Sequence, residues 1–329
     1  MEKARFKWVL RERNRKIAAK TEAFTEQQAR RVRSFHSSFK EYSPTPLIEL
    51  TSLAQHLGIK NLFVKDESYR FGLNAFKVLG GSFAIGSYIA NELGEDIDDL
   101  PYMRLVSDEV RSLLGSKTFI TTTDGNHGRG VAWTANRLKQ QAIVYMPQGS
   151  AAERLANIRA EGAQAEITDM NYDDTVRYTS ELAQKNGWII VQDTAWDGYT
   201  RIPLWIMQGY MTMALEAYEQ LPVKPTHIFL QAGVGSLAGS VQGFFADIYG
   251  SSCPLTFIVE PKGADCLYQT AAANDGSLHS VTGRLETIMA GLACGEPNSI
   301  AWEILGNLSD GFISCPDYTA AQGMRILGN

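Results

Sequence analysis

The 329-residue sequence predicts an α/β protein of parallel or mostly parallel twisted sheets with helices on both faces. Three observations predict it. Short apolar runs bounded by turn residues (TFITTT, AIVYMP, WIIVQDT, HIFLQ, TFIVEP) alternate with longer segments of helical composition, the pattern of parallel strands joined by crossover helices. Hydrophobic residues make up 44% and charged residues 20%, a composition for sizeable cores and not for a disordered chain. The length suggests two domains, since one domain usually runs to about 100–200 residues.

The elements follow in order. Residues up to about 39 are charge-rich and helical in composition, expected as a surface helix or arm. YSPTPLIEL is extended, because Pro44 and Pro46 keep their predecessors out of the helical region. A short helix around 53–57 leads to the strand NLFVKDE. Then come TFITTT and the helix VAWTANRLK, AIVYMP and AERLANIRAEG, AEIT and YDDTVRYTSELAQKNG, and the strand WIIVQDT. After the helix RIPLWIMQGYMTMALEAYEQL the alternation resumes with HIFLQ, a glycine turn, a helix and TFIVEP. This order places a large discontinuous domain at 1–82 and 200–329 and a smaller one at 83–199. The acidic stretch 95–99 reads as a solvated connection. GRLETIMAGLACGEPNSIAWEIL has the glycine spacing of a loop that packs closely against another part of the chain.

Charge and cysteine content exclude several classes. The chain carries 31 basic and 36 acidic residues, net −5, where a nucleic-acid binder normally shows a basic excess. Cys253, Cys266, Cys294 and Cys315 form no CxxC pair, so neither a zinc site nor a disulfide scaffold is expected, and the usage suits a reducing cytosol. The basic N-terminus lacks the apolar run of a signal peptide, and no segment is apolar for long enough to span a bilayer. A cytoplasmic protein with a small-molecule ligand, no metal, no nucleic acid and no membrane is expected.

Three places could carry chemistry. AGVGSLAG follows the strand HIFLQ, and its glycines with the next helix's unpaired N–H groups suit a phosphate; a plain tight turn would read the same way. Gly233, Gly235 and Gly239, with Glu260 ending the next strand, also invite a dinucleotide reading, but the third glycine is one residue late. TTTDGNHGRG brings hydroxyls, an acid and an amide to one helix N-terminus, which could hold a substrate carboxylate or a cofactor oxygen. Asp124 there is equally readable as a helix cap, and His127 alone as a structural histidine. In LNAFKVLGG, Asn74 can cap a helix that starts with Lys77 in its first turn, where the helix dipole favours the neutral amine that Schiff-base chemistry needs. A surface lysine is the alternative. Together, an amine nucleophile, a phosphate cradle and an anion-binding turn fit pyridoxal phosphate.

The sequence resembles the 2,3-diaminopropionate ammonia-lyases, two-domain pyridoxal-phosphate enzymes of fold type II, the tryptophan-synthase-β-like fold. The resemblance covers nearly the whole chain. It rests on VKDESYRFGLNAFK, TTTDGNHGRGVAW, YMPQGSAAER, TDMNYDDTVR, VQDTAWDGY, IMQGY, QAGVG and IMAGLACGEPN, while TDGNHG and the glycine loop alone would identify only the broader fold. It implies that Lys77 carries the cofactor as an internal aldimine and that Gly233, Val234, Gly235, Ser236 and Leu237 hold its phosphate. Asn126 corresponds to the partner of the cofactor's 3′-oxygen. Thr122, Gly125, Asn126 and His127 correspond to the loop holding the substrate carboxylate. Asp124, where serine and threonine dehydratases carry a small residue, is implied as an acid–base. Asp193 is implied near the distal amine and Tyr172 at the substrate pocket, although a packed core tyrosine fits Tyr172 as well. Glu260 reads as a loop-ordering acid.

The implied reaction is α,β-elimination of D- and L-2,3-diaminopropionate to pyruvate and two ammonia by a homodimer, with Lys77 serving the L isomer and Asp124 the D isomer. Family chains continue past GMRILGN into a further glycine-rich loop and a terminal strand that carry the residue facing the pyridine nitrogen; this sequence stops at Asn329. Two alternatives stay open: another fold type II β-eliminase such as a serine or threonine dehydratase, and a catalytically silent truncated relative acting as a binding subunit.

Overall fold

The structure is a computed structural model and describes residues 5–12, 21–123 and 125–328. Its strands are β1 (Lys7–Leu10), β2 (Leu47–Glu49), β3 (Phe63–Lys65), β4 (Thr118–Thr122), β5 (Gln141–Met146), β6 (Gln164–Ile167), β7 (Ile189–Ile190), β8 (His227–Gln231), β9 (Leu255–Pro261) and β10 (Gly311–Cys315). One four-stranded sheet, β6-β5-β4-β7, is wholly parallel. A second, β1-β10-β9-β8, is parallel apart from β1, which runs antiparallel to β10. β2 and β3 form a separate antiparallel pair. The mostly parallel α/β architecture expected from the alternation is the one observed.

Two elements depart from expectation. Lys7–Leu10 is a strand and not part of a helix or arm, because the exposed edge of β10 supplies backbone partners in the register Trp8↔Ile313. That pairing overrides a weak local preference. WIIVQDT pairs only at Ile189–Ile190. Two residues on, the Gln192 carboxamide takes over the backbone N–H and C=O of Thr122, at 3.0 and 3.1 Å.

The sheet order creates a crevice. From β4 the chain winds outward through β5 to β6, then crosses back to place β7 on the other side of β4. Right-handed crossovers in opposite directions put their helices on opposite faces, so the loops leaving β4 and β7 diverge. Ligands bind at such a switch point. TTTDGNHGRG leaves β4 there, and Asp193 follows β7.

The helix Lys77–Leu93 is the central spar, with its residues buried on nearly every side from Val78 to Ala90. Glycines let its neighbours reach its backbone. A Cβ on Gly130, in the helix Asn126–Arg137, would lie 2.8 Å from the Val78 Cα. A Cβ on Gly209, in the helix Arg201–Gln220, would lie 2.3 Å from the Leu79 carbonyl oxygen. These contacts hold the start of the Lys77 helix between the helices Asn126–Arg137 and Arg201–Gln220.

Candidate active site

The expected cap does not form. The helix begins at Lys77 with Phe76 as its N-cap and no side-chain cap bond, while Asn74 adopts a left-handed conformation at φ +58° in the preceding turn. Lys77 lines an inner cavity with Thr122, His127, Tyr172, Asp193 and Cys294. Its amine is ion-paired with the buried Asp193 carboxylate. Burial opposes the ammonium, but Asp193 outweighs it and holds Lys77 above its ordinary value. The same pair holds Asp193 at about 2, although burial alone would push it up. The expectation of a neutral lysine is therefore corrected for the cofactor-free protein. A helix-end dipole contributes about 0.3–1 kcal/mol, less than a buried carboxylate in direct contact.

Across the cavity, the helix Ser236–Tyr249 starts at Gly235, φ +100°, with no side-chain cap. Its first N–H groups therefore point outward as an anion cradle. A Cβ on Gly233 would sit 3.3 Å from the Leu292 Cα and 3.2 Å from the Cys294 sulfur. The glycine-spaced segment after residue 283 thus packs on the glycine loop, which answers what it packs against. Asn298 ties the loop down, donating from its backbone to the Val234 carbonyl (2.8 Å) and from its side chain to Ser236 Oγ (2.8 Å). Ser236 Oγ in turn donates to the Asp193 carbonyl at 2.5 Å. The hydroxyl of Ser236 is thereby engaged, so this residue and the buried Leu237 offer an anion their backbone N–H groups. A lysine amine on Asp193, which is itself bonded to the start of a glycine-bounded, uncapped helix, fits pyridoxal phosphate.

The third expected element meets the same cavity. Gly125 caps the helix Asn126–Arg137 through its backbone alone, and its N–H donates to Thr123 Oγ1 at 2.9 Å. Asn126 is the exposed first residue of that helix, and Asp124 lies outside the described residues. His127 is buried, with Nε2 donating to the Val191 carbonyl at 2.7 Å. Thr122 is buried with its hydroxyl on Thr179 (2.7 Å). Tyr172 stands between the inner cavity and an outer one of about 230 Å³ that also touches Asp173, Trp196 and Glu296.

Gln192, Tyr210 and Cys294 were not singled out as site residues. Gln192 and Tyr210 lie inside quoted blocks, and Cys294 lies in the glycine-spaced loop, so position in a block was the available signal. Gln192 is the informative one. Its Oε1 must face the Thr122 N–H and its Nε2 the Thr122 carbonyl, which fixes the amide orientation. Nε2 then also donates to the Tyr172 hydroxyl at 2.9 Å. Glu260, in contrast, is far from ribose duty: it is buried and accepts from the N–H groups of Leu267 and Tyr268 at 2.9 and 2.7 Å, capping the helix Cys266–Ala273. Among the described residues no group of three or more His, Cys, Asp or Glu could hold a metal, and no helix is long and apolar enough to cross a membrane.

Fold and site define a pyridoxal-phosphate-dependent enzyme, and residues 39–329 match the family described as pyridoxal-phosphate dependent enzyme. The sequence is 54% identical over 299 residues to a diaminopropionate ammonia-lyase of Salmonella typhimurium, covering 90% of this chain and 74% of that one. It is 53% identical over 310 residues to the diaminopropionate ammonia-lyase of Escherichia coli K12, covering 93% and 76%. The crystal structure of the holo E. coli diaminopropionate ammonia lyase superposes with a TM-score of 0.90 at 50% identity, over 99% of this chain and 80% of that one. Maize serine racemase shares the fold at 22% identity and TM-score 0.72, over 92% and 80%. The chain belongs to the diaminopropionate ammonia-lyase family of pyridoxal-phosphate-dependent enzymes.

Proposed function

We infer that this protein is a pyridoxal-phosphate-dependent lyase that converts D- and L-2,3-diaminopropionate and water to pyruvate and two ammonia. The observation that carries this reading is the half-buried Lys77 amine held by Asp193, whose carbonyl accepts from Ser236 at the glycine-bounded start of the helix Ser236–Tyr249, in a chain of this family. When bound, pyridoxal phosphate supplies the electron sink for the bond broken at Cα. Gly233 to Leu237 would hold its phosphate by backbone N–H groups, and Asn126 would be the partner of its ring oxygen. The backbone at Gly125 and His127, with Thr122 behind it, receives the substrate carboxylate. Lys77 takes the α-proton of the L isomer and Asp124 that of the D isomer.

Asp193 has a second duty. Amide ion is too poor a leaving group to depart, so the distal nitrogen must leave protonated. The carboxylate that holds the Lys77 ammonium is suited to hold the distal ammonium of the substrate in its place. Tyr172 closes the pocket on the outer side. A homodimer in the cytoplasm, built of a large domain at 1–82 and 200–329 and a smaller one at 83–199, completes the proposal.

The test is pyruvate release from both isomers of 2,3-diaminopropionate by the loaded protein, beside serine and threonine, for wild type and Asp124→Asn. Wild type turns over both diaminopropionates, and the variant loses the D isomer while keeping much of the L. Equal loss on both isomers would reject the two-base assignment. Turnover of serine or threonine without diaminopropionate would favour a dehydratase, and no turnover at all a binding subunit.

A further inference from the structure

Tyr210 is wholly buried where the helices Lys77–Leu93 and Arg201–Gln220 cross, and its hydroxyl has no hydrogen-bond partner among the described residues. The ring is locked in place. Phe76, the residue before Lys77, packs edge-on against it with centroids 5.1 Å apart, and a Cβ on Gly80 would lie 2.6 Å from its Cε1. Gly80 is three residues beyond Lys77 and so on the same helix face. The phenol is therefore presented to the Lys77–Asp193 pair: both charges act on it, and Lys77 lies within hydrogen-bonding reach of its hydroxyl without the geometry of a formed bond. Phenylalanine would fill this place without stranding a polar group, and stranded groups are rare in folded proteins.

The chemistry of the two neighbours explains the hydroxyl. A carboxylate only accepts, so Asp193 pairs best with Lys77 Nζ as an ammonium and offers nothing to the lone pair of the neutral amine. A phenol accepts from a charged nitrogen and also donates to the lone pair of a neutral amine. Lys77 has to leave Asp193 whenever its nitrogen is engaged by the cofactor, and it has to be neutral to act as a base. We propose that Tyr210 is a positioning residue for Lys77: its hydroxyl, near Nζ but without a formed hydrogen bond while Asp193 holds the lysine, becomes the hydrogen-bond partner of Nζ once the cofactor is loaded. This rests on the reading of Lys77 as the cofactor-bearing lysine.

Tyr210→Phe in the full chain tests it. The cofactor-free variant is expected to melt at or above the wild-type temperature, because a stranded hydroxyl has gone. Its Kd for pyridoxal phosphate, from titration of the visible absorption, is expected to rise about fivefold, the worth of one net hydrogen bond. The pH at which the visible band of the loaded protein titrates should fall, because the positive charge at Nζ has lost an acceptor. An unchanged Kd and titration would overturn the proposal. So would a cofactor-free variant that melts well below wild type, since the hydroxyl would then already have a partner in that state. A wild-type protein with no visible band, or a band that persists in Lys77→Ala, would instead remove the reading of Lys77 itself.

Discussion

Lys77 and Asp193 set each other's charge, and the consequence can be measured without turnover. In the cofactor-free protein the ammonium is held by one carboxylate against the effect of burial. Asp193→Asn removes the main group opposing burial and leaves only the weaker influence of Tyr210 and Cys294, so the amine should titrate well below its wild-type value. Each unit of that fall multiplies the reactive fraction tenfold at a pH well below the pKa. Trace acetylation of Lys77 at pH 8, read by mass spectrometry against Lys65 as an internal standard, should therefore run more than tenfold faster in the variant than in wild type. Equal rates would mean that another group sets the lysine's charge. The two residues were each visible in the sequence as members of motif blocks. Their pairing was not, because 116 positions separate them and only the fold brings them together. Local reasoning had the helix dipole as the sole influence on Lys77 and so arrived at the wrong charge.

At the scale of elements, the helix crossing beneath Lys77 depends on glycines that helix propensity would disfavour. Gly209→Ala should gain about 1 kcal/mol from propensity. It also drives a Cβ to 2.3 Å from the Leu79 carbonyl oxygen and 2.7 Å from the Gly80 Cα, both backbone atoms. Overpacking of this kind typically costs about 1–3 kcal/mol, and a backbone clash lies at the upper end. The net expectation is a destabilisation of about 2 kcal/mol. Gly323→Ala is the control, since its helix Asp317–Leu327 has nothing within 4 Å of the added Cβ, and there the gain of about 1 kcal/mol should appear intact. Urea unfolding of the two variants should move in opposite directions; a stabilised Gly209→Ala would show that the helices can separate freely. Period and turn residues made most strands and helices readable. They did not reveal β1, whose partner β10 lies more than 300 residues away, or the shortness of β7, which follows from the Gln192 side chain replacing the ladder.

At the scale of the whole molecule, the alternation of elements was readable, but the order of strands that opens the crevice was not, because no local signal says that β7 returns beside β4. A buried charge network joins distant parts of the chain in the same unannounced way. Glu216, from the helix Arg201–Gln220, accepts from Arg70 at 2.7 Å, Lys65 at 2.8 Å, the Tyr42 hydroxyl at 3.0 Å and the Thr45 N–H at 3.1 Å. It therefore fastens the proline-bounded segment and β3 to the helix that carries Tyr210. Arg70 is wholly buried between Glu67 and Glu216, so Glu216→Gln would leave it one carboxylate of two, at a cost of about 3 kcal/mol. The carboxyl is held at about 2, burial pushing it up but Arg70 and Lys65 pulling it further down. A depressed carboxyl contributes its stability above the unfolded value of 4.5 and loses it as pH falls towards 2. That displacement corresponds to about 3 kcal/mol, which wild type should lose across this window and Glu216→Gln should not. Urea unfolding at pH 7, 5, 4 and 3 should therefore show the gap between the two proteins closing as the solution is acidified. A gap that stays constant down to pH 3 would mean that other carboxylates carry the acid sensitivity and that this network is held by hydrogen bonding without charge.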